Sequence, residues 1–198
     1  GSTIMAASMG GMRAMHEQAA NEADFDHIRP PYSFLYQGNQ SDAQFAESSA
    51  RLLKEKIQEI GVDKVAAFVA EPVQGAGGVI IPPEGYFEHI QKICVEFGIL
   101  FIADEVITGF GRTGNWFASQ TMSLEPDLVT LAKGLTSGYM PMSAVLVSDK
   151  IASCLIDEGG EFFHGFTYSG HPVSAAVALA NLDLIEKEGL IEHVRDVT

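Results

Sequence analysis

The feature that most constrains the fold is a series of short apolar runs separated by helical patterns. Each run is almost continuously apolar, which predicts a strand buried on both faces rather than a half-exposed one. Strands of this kind that alternate with helices are typical of an α/β protein, with a mostly parallel sheet and helices on both faces. The runs fall at residues 65–70, 99–103, 128–132 and 143–147.

Three long helices are predicted around these strands. Ser41 and Gln44 form a capping-box pattern at the start of the first, and Gly61 ends it. The second opens at residues 83–84 and runs to a closing glycine at 98, and the Ala-rich third covers residues 173–188. Before the first helix, many Pro, Gly, Asn and Asp residues predict a long surface loop over residues 21–42. Nearer the start, Met5, Met9 and Met12 have helical spacing and predict one packed helix face.

The composition excludes several classes of partner. The formal net charge is −14, whereas a nucleic-acid binder or a protein that docks on anionic lipid needs a basic face. No apolar run has the length that a membrane span requires, and no signal-peptide pattern opens the chain. Cys94 and Cys154 are too few for a disulfide framework, so we expect buried, reduced side chains in a cytoplasmic protein.

Three ionisable residues follow the predicted strands directly. They are Glu71, Asp104 and Lys133, each placed where an apolar run stops. In parallel α/β sheets the ligand lies beyond the carboxyl ends of the strands. We therefore expect these side chains to meet at one edge of the sheet, although they are far apart in the sequence.

Asp104 and Lys133 also have ordinary structural interpretations. Asp104 could cap the following turn or pair with an arginine, since aspartate is a common capping residue. Lys133 could extend along apolar surface until its amine reaches water. Alternatively, its amine could be desolvated and reactive, as Schiff-base chemistry requires. The two residues alone leave both readings open.

Four segments together carry a more specific signal. In this order along the chain they resemble the cofactor-binding segments of class III aminotransferases, which depend on pyridoxal 5′-phosphate (PLP). The resemblance extends over the whole chain and is closest to the branch that transfers an amino group to pyruvate. The segments are 71–75 (EPVQG), 101–114 (FIADEVITGFGRTG), 126–134 (PDLVTLAKG) and 165–172 (GFTYSGHP).

The resemblance implies a role for each matching residue. Lys133 would form the Schiff base with PLP and move a proton during catalysis. Asp104 would pair with the pyridinium nitrogen of the cofactor, and Val106 would pack against its ring. Thr167 would donate a hydrogen bond to the phosphate of the neighbouring subunit's cofactor, which implies a homodimer or homo-oligomer. Glu71 would orient groups near the cofactor.

Two positions distinguish this chain from other branches of the family. Ile107, also at the cofactor site, stands where ornithine- and γ-aminobutyrate-type relatives often carry Gln. Ala76 stands where some of them carry a Glu that pairs with a gating arginine. Both changes favour the amine:pyruvate branch. Glycines 75, 77 and 78 precede an apolar run rather than a helix, which argues against a dinucleotide site. His164 and His171 lack a third ligand at metal spacing, so no metal is predicted.

The resemblance further implies that residues 1–198 are one domain, a part of the PLP fold-type I large domain that is incomplete at both ends. The C-terminal small domain would be absent. The expected activity is transamination from an amine or ω-amino acid to pyruvate through Lys133. Two alternatives stay open: a catalytically silent fragment, and another fold-type I reaction such as that of an aminomutase, racemase or decarboxylase.

Overall fold

A four-stranded sheet forms the centre of the computed structural model, which describes residues 3–18 and 24–197. The strands lie in the order in which they occur along the chain. Each begins and ends within two residues of its predicted bounds, because the apolar runs end sharply at polar residues. The strands are β1 Ala67–Ala70, β2 Leu100–Asp104, β3 Leu128–Leu131 and β4 Ala144–Val147.

The sheet is mostly parallel, as predicted. β1 pairs with β2 and β2 with β3 in parallel, whereas β4 runs antiparallel to β3. The parallel pairs need a crossover, because a parallel strand cannot follow through a tight turn. The crossover between β1 and β2 contains the second long helix. The carboxyl ends of β1, β2 and β3 consequently lie at one edge of the sheet.

Three long helices were predicted, and each is present. The first begins with the predicted capping box, in which Ser41 and Gln44 exchange hydrogen bonds of 3.0 and 3.3 Å. The loop predicted over residues 21–42 contains a short helix, and its residues 21–23 lie outside the described part of the chain. The α-helices of the described ranges are α1 Ile4–Met9, α2 Arg13–Gln18, α3 Ser33–Tyr36, α4 Asp42–Ile60, α5 Tyr86–Phe97, α6 Ala118–Thr121, α7 Asp149–Ser153, α8 Pro172–Lys187 and α9 Leu190–Val197.

The main core lies between α4, α5 and one face of the sheet. Ile57 of α4 and Ile90 of α5 are fully buried, and both belong to the cluster that includes Phe101 of β2. Burial alternates along β2: Phe101 and Ala103 are buried on the helix side, and Ile102 is half-buried on the other. Helices α4 and α5 therefore pack on the face of the sheet opposite Ile102.

Two predictions about burial at the strands and helices are wrong. The run at 143–147 was expected to be buried, but β4 pairs only with β3 among the described residues, and Val145, Leu146 and Val147 are exposed. The methionines at 5, 9 and 12 are exposed as well, because α1 ends at Met9 and a second short helix begins only at Arg13.

The two cysteines differ in their surroundings. Both are free; Cys94 is buried in α5, as predicted, but Cys154 is exposed, so the prediction for Cys154 is wrong. Cys154 follows α7 directly, on a single turn of π-helix without buried residues. Within the described ranges, no helix is both long enough and apolar enough to span a membrane.

Candidate active site

The three ionisable residues that follow the strands meet at one edge of the sheet. Ala70 of β1 is level with Ala103 of β2, so Glu71 and Asp104 are the next residues on adjacent strands. Asp104 is level with Thr130 of β3, and Lys133 comes three residues later. Adjacent strands are about 4.8 Å apart. The expectation that Glu71, Asp104 and Lys133 share the carboxyl edge is confirmed by this register.

Asp104 is held at the end of β2 by a local turn. Its Oδ1 accepts the backbone N–H of Val106 at 3.1 Å, which fixes the carboxylate and starts the following loop. Among the described residues, none donates a hydrogen bond to the other oxygen, Oδ2. The half-buried carboxylate therefore has one acceptor available for a ligand. The arginine partner considered as an alternative is not found within the described chain.

Glu71 connects the loop after β1 to the loop after β2. Its Oε2 accepts the backbone N–H of Gly75 at 2.9 Å. A Cβ at Gly75 would collide with Cδ1 of Ile107, so only glycine permits this approach of the two loops. Ile107 is exposed and lies against the backbone that Glu71 holds. The structure thus brings Glu71 and Ile107 together through Gly75.

Lys133 has an unusual backbone conformation. Its φ is 41°, in the left-handed region that residues with a side chain rarely adopt. It begins a single turn of 3-10 helix, residues Lys133–Leu135, and its carbonyl accepts the N–H of Thr136 at 3.3 Å. Such a conformation costs about 1–3 kcal/mol and persists only where its surroundings impose it. The side chain is exposed at the edge of the sheet.

The turn that contains Lys133 packs on the loop after β2. A Cβ at Gly134 would be 2.9 Å from Cδ2 of Phe110, so glycine is needed for this contact. Phe110 itself has a φ of 64°, and its N–H donates to the carbonyl of Trp116 at 2.6 Å. The loop that starts at Asp104 therefore lies directly against the turn that carries Lys133.

Glu105 lies next to the candidate site, and it was not identified from the sequence. It is completely buried and accepts four hydrogen bonds of 2.5–2.9 Å, from the Thr108 hydroxyl, the Ala118 N–H, and both the N–H and the hydroxyl of Ser119. These bonds fix the loop that follows Asp104 to the start of α6. A second acidic residue directly after Asp104, at a buried strand end, was the available signal.

Asn181 was not identified from the sequence either. It lies on α8 and donates its side-chain amide to the carbonyls of Gly134 and Leu135. A single polar amide within the apolar sequence of residues 175–182 was the signal for it. Its contact is with the turn of Lys133, which joins α8 to the edge of the sheet.

Thr167 does not join the other predicted residues within this chain. It is exposed, and within the described ranges it makes no hydrogen bond to Glu71, Asp104 or Lys133. All residues from 159 to 173 are exposed, including Phe162, Phe163, Phe166 and Tyr168. The predicted role of Thr167 in a neighbouring subunit stays a prediction.

The donor set at the edge fits PLP. The exposed amine of Lys133 can react with an aldehyde, and the available Oδ2 of Asp104 can accept a hydrogen bond from a cationic ring nitrogen. The backbone N–H of Val106 donates to the Asp104 carboxylate, and Val106 is half-buried, so its side chain can line one side of a flat ligand. No group of three or more His, Cys, Asp and Glu residues that could hold a metal occurs in the described parts of the chain.

Comparisons with known proteins agree with this arrangement. The fold is that of the fold-type I transaminases: an (S)-enantioselective omega-transaminase from Thermomicrobium roseum superposes with a TM-score of 0.91 at 47% identity, over 96% of this chain and 43% of the other. The omega-transaminase of Pseudomonas jessenii in complex with PMP gives a TM-score of 0.94 at 43% identity, over 98% of this chain and 44% of the other.

The family is shown by the sequence comparison. The model of the aminotransferase class-III family matches residues 2–198, and the chain belongs to this family. A putrescine–pyruvate aminotransferase of Pseudomonas aeruginosa is 53% identical over all of this chain and 43% of its own length. A chloroplastic gamma-aminobutyrate transaminase 3 of Solanum lycopersicum is 45% identical over all of this chain and 39% of its own. The chain thus spans about two fifths of the length of the curated relatives it matches.

Proposed function

We propose that this chain provides the PLP-binding part of the large domain of a transaminase that moves an amino group from an amine or ω-amino acid to pyruvate. The observation that carries the proposal is the position of Lys133 and Asp104. They follow adjacent parallel strands at one sheet edge, and the loop after Asp104 lies against the turn of Lys133. Membership of the class III family supports the same activity.

The proposed roles follow from the chemistry of each side chain. Bound PLP supplies an electron-accepting ring that stabilises negative charge on the substrate carbon. Lys133 would hold the cofactor covalently and, once released by the substrate amine, would carry the proton between reacting carbons. Asp104 would keep the ring nitrogen protonated through Oδ2, and Val106 would support the ring. Glu71 and Ile107 would shape the adjoining wall through their contacts with Gly75.

The substrate proposal rests on the names of two kinds of relative and on one residue, Ile107. The relative from Pseudomonas aeruginosa carries the name putrescine–pyruvate aminotransferase, which supports pyruvate as the acceptor. Ile107 places an aliphatic side chain where other branches of the family carry Gln, which supports the amine:pyruvate branch. The gamma-aminobutyrate transaminases among the relatives also support an ω-amino donor.

The active unit would be a homodimer. Thr167 lies in an exposed segment with four aromatic residues, and a partner subunit could cover this segment and receive the threonine hydroxyl at its own cofactor phosphate. The cytoplasmic location stays a prediction from the acidic composition and the two free cysteines.

A reduction experiment tests the role of Lys133. The full protein chain is mixed with PLP, the visible absorption band is recorded, borohydride is added, and the labelled peptide is located by mass spectrometry. We expect the label on Lys133 and its loss in Lys133→Ala. Lys150→Ala is the matched control, because Lys150 is another exposed lysine, on α7, and its loss should leave labelling unchanged.

The outcomes separate the open alternatives. Absence of the band and of the label would contradict the enzyme proposal and favour a catalytically silent protein. Bleaching of the band by an amine donor and its recovery with pyruvate would establish transamination. If 2-oxoglutarate restores the band and pyruvate does not, the proposed acceptor is wrong.

A further inference from the structure

Asn181 makes three hydrogen bonds to the turn that carries Lys133. Its side-chain Nδ2 donates to the carbonyl of Gly134 at 2.8 Å and to that of Leu135 at 3.1 Å, and its Oδ1 accepts the hydroxyl of Ser137 at 2.7 Å. All polar atoms of the amide group are thus directed at residues 134–137. These contacts connect residues more than 40 positions apart along the chain.

The location of these bonds matters because of the backbone at Lys133. The two carbonyls that Asn181 holds belong to the residues directly after Lys133, whose φ is 41°. A lysine relaxes from this conformation unless the neighbouring backbone is fixed. Phe110 packs on Gly134 from one side, and the Thr136 hydroxyl donates to the carbonyl of Met140 at 2.6 Å. Asn181, on α8, also fixes the turn.

Helix stability does not account for an asparagine at this position. Asn181 lies in the interior of α8, where alanine is the better helix former. The side chain also makes no bond within its own helix among the described residues. The contacts of Asn181 therefore stabilise the turn at residues 134–137 and not the helix α8.

We propose that Asn181 is a positioning residue for Lys133: it holds the turn so that the lysine amine is presented to the cofactor aldehyde. This inference rests on the proposed function, in which the amine of Lys133 would condense with the aldehyde to form a carbon–nitrogen double bond, with loss of one water. The amide of Asn181 touches neither reacting group.

The experiment measures how fast Lys133 reacts, apart from turnover. The full chain is freed of cofactor, PLP is added, and samples are reduced with borohydride at increasing times to count label at Lys133. Total bound PLP is measured in parallel after removal of free cofactor. In Asn181→Ala we expect the rate constant of labelling to fall at least about tenfold, since all three hydrogen bonds from Asn181 to the turn are lost. Total bound PLP should change little.

Two further variants sharpen the test. Asn181→Asp keeps the size and the acceptor for Ser137 but removes the donor to the two carbonyls, so it should be as slow as the alanine variant. Ser137→Ala is the matched control: it leaves both donations of Asn181 in place and should slow labelling less than about threefold. Thermal unfolding of every variant is recorded.

Each outcome decides the inference. Slow labelling in the two Asn181 variants, with normal unfolding and normal bound PLP, supports it. Labelling of folded Asn181→Ala at the wild-type rate overturns it, while the proposed function stands. Loss of folding in both Asn181 variants also overturns it, because the residue then supports the fold as a whole. If the unaltered chain is not labelled at Lys133, the proposed function fails and the inference with it.

Discussion

Asp104 and Lys133 occupy neighbouring strand ends, but their backbones are held in different ways. Asp104 continues a regular strand and fixes itself with one hydrogen bond to Val106. Lys133 has left the strand and adopts a left-handed conformation that the surrounding turn imposes. The carboxylate can therefore be altered with little effect on the fold.

The substitution Asp104→Asn separates chemistry from folding. The amide that replaces the carboxylate would keep an oxygen for the Val106 N–H, so the thermal unfolding temperature should stay almost unchanged. In the proposed role of Asp104, the charge that would keep the ring nitrogen protonated is lost, and kcat/KM for transamination should fall at least about 100-fold, or ~3 kcal/mol. Both quantities are measured on the purified full chain.

The matched control is Asp127→Asn. Asp127 also accepts a backbone N–H, that of Phe101 at 2.9 Å, but it precedes β3 and so lies at the opposite edge of the sheet. Its replacement should leave kcat/KM near the wild-type value. Equal losses in the two variants would contradict the assigned role of Asp104.

For single residues, the sequence predicted the place of a residue in the fold better than it predicted the hydrogen bonds of its side chain. The ends of the apolar runs placed Glu71, Asp104 and Lys133 correctly, because a parallel sheet aligns its carboxyl ends. Glu105 and Asn181 could not be found in this way. Their partners include backbone groups of segments remote in the sequence, and the ends of apolar runs do not predict such contacts.

Short elements depend on side chains that come from elsewhere in the chain. The four-residue helix α6 begins where Glu105 accepts the N–H groups of Ala118 and Ser119. A helix of one turn is unstable alone, since its first N–H groups have no partner within the helix. This dependence explains why α4, with its own capping box, was predicted from the sequence and α6 was not.

Glu105→Ala should unfold more easily. The variant leaves two backbone N–H groups and two hydroxyls without their buried acceptor, and the free energy of unfolding should fall by about 3 kcal/mol or more. Urea unfolding measures the change. Glu125→Ala, at an exposed glutamate, is the control and should remain within about 0.5 kcal/mol of the unaltered protein. A loss below about 1 kcal/mol in Glu105→Ala would show that water replaces the carboxylate.

The helix α5 makes stability depend on pH. Burial, with a smaller contribution from the charge of Asp127, raises the pKa of the Cys94 thiol to about 12. An unfolded cysteine has a pKa of about 8.5. Because the folded pKa is the higher one, the stabilising contribution is fully present below the unfolded pKa and is lost as the pH rises towards 12. The pKa of Tyr86 is also raised, mainly by burial, but tyrosine starts to ionise only near about pH 10.

We therefore expect the free energy of unfolding to fall between about pH 8.5 and pH 10 by about 1.4 kcal/mol per unit at most. Urea unfolding at pH 8, 9 and 10 measures this fall. Cys94→Ala should be less stable at pH 8 because it leaves a small cavity, and its stability should change less over this range. Parallel pH curves for the two proteins would contradict the prediction.

Several regions of the described chain expose apolar side chains, and two of them bear on how the whole molecule is covered. One is the edge strand β4, and the other is the segment 159–173 around Thr167. The sequence predicted strands buried on both faces, whereas β2 has one buried and one half-buried face and β4 is largely exposed. The reason is that the apolar pattern of a strand predicts that the strand will be covered. The pattern does not predict whether the same chain or a partner chain covers it.

The proposed homodimer predicts a specific effect of a charge in the segment around Thr167. Phe163 is 87% exposed, and Phe163→Asp should convert a dimer of the full chain into monomers, because an unpaired charge would be buried at the interface. Sedimentation measures the mass, and PLP retention should fall together with it. Val95→Asp is the control: Val95 is 82% exposed on α5, and its replacement should leave the dimer intact. A monomeric unaltered chain that retains PLP would exclude the shared site.

The left-handed backbone at Lys133 has a consequence for protein engineering and for evolution. Glycine adopts this conformation without strain, so the fold alone would favour glycine at position 133. A screen that selects only for yield or heat resistance would therefore enrich variants that have lost the amine proposed to bind the cofactor. At position 133, glycine would favour the stability of the fold, whereas lysine would favour the rate of the reaction. Only selection for turnover would therefore preserve the lysine.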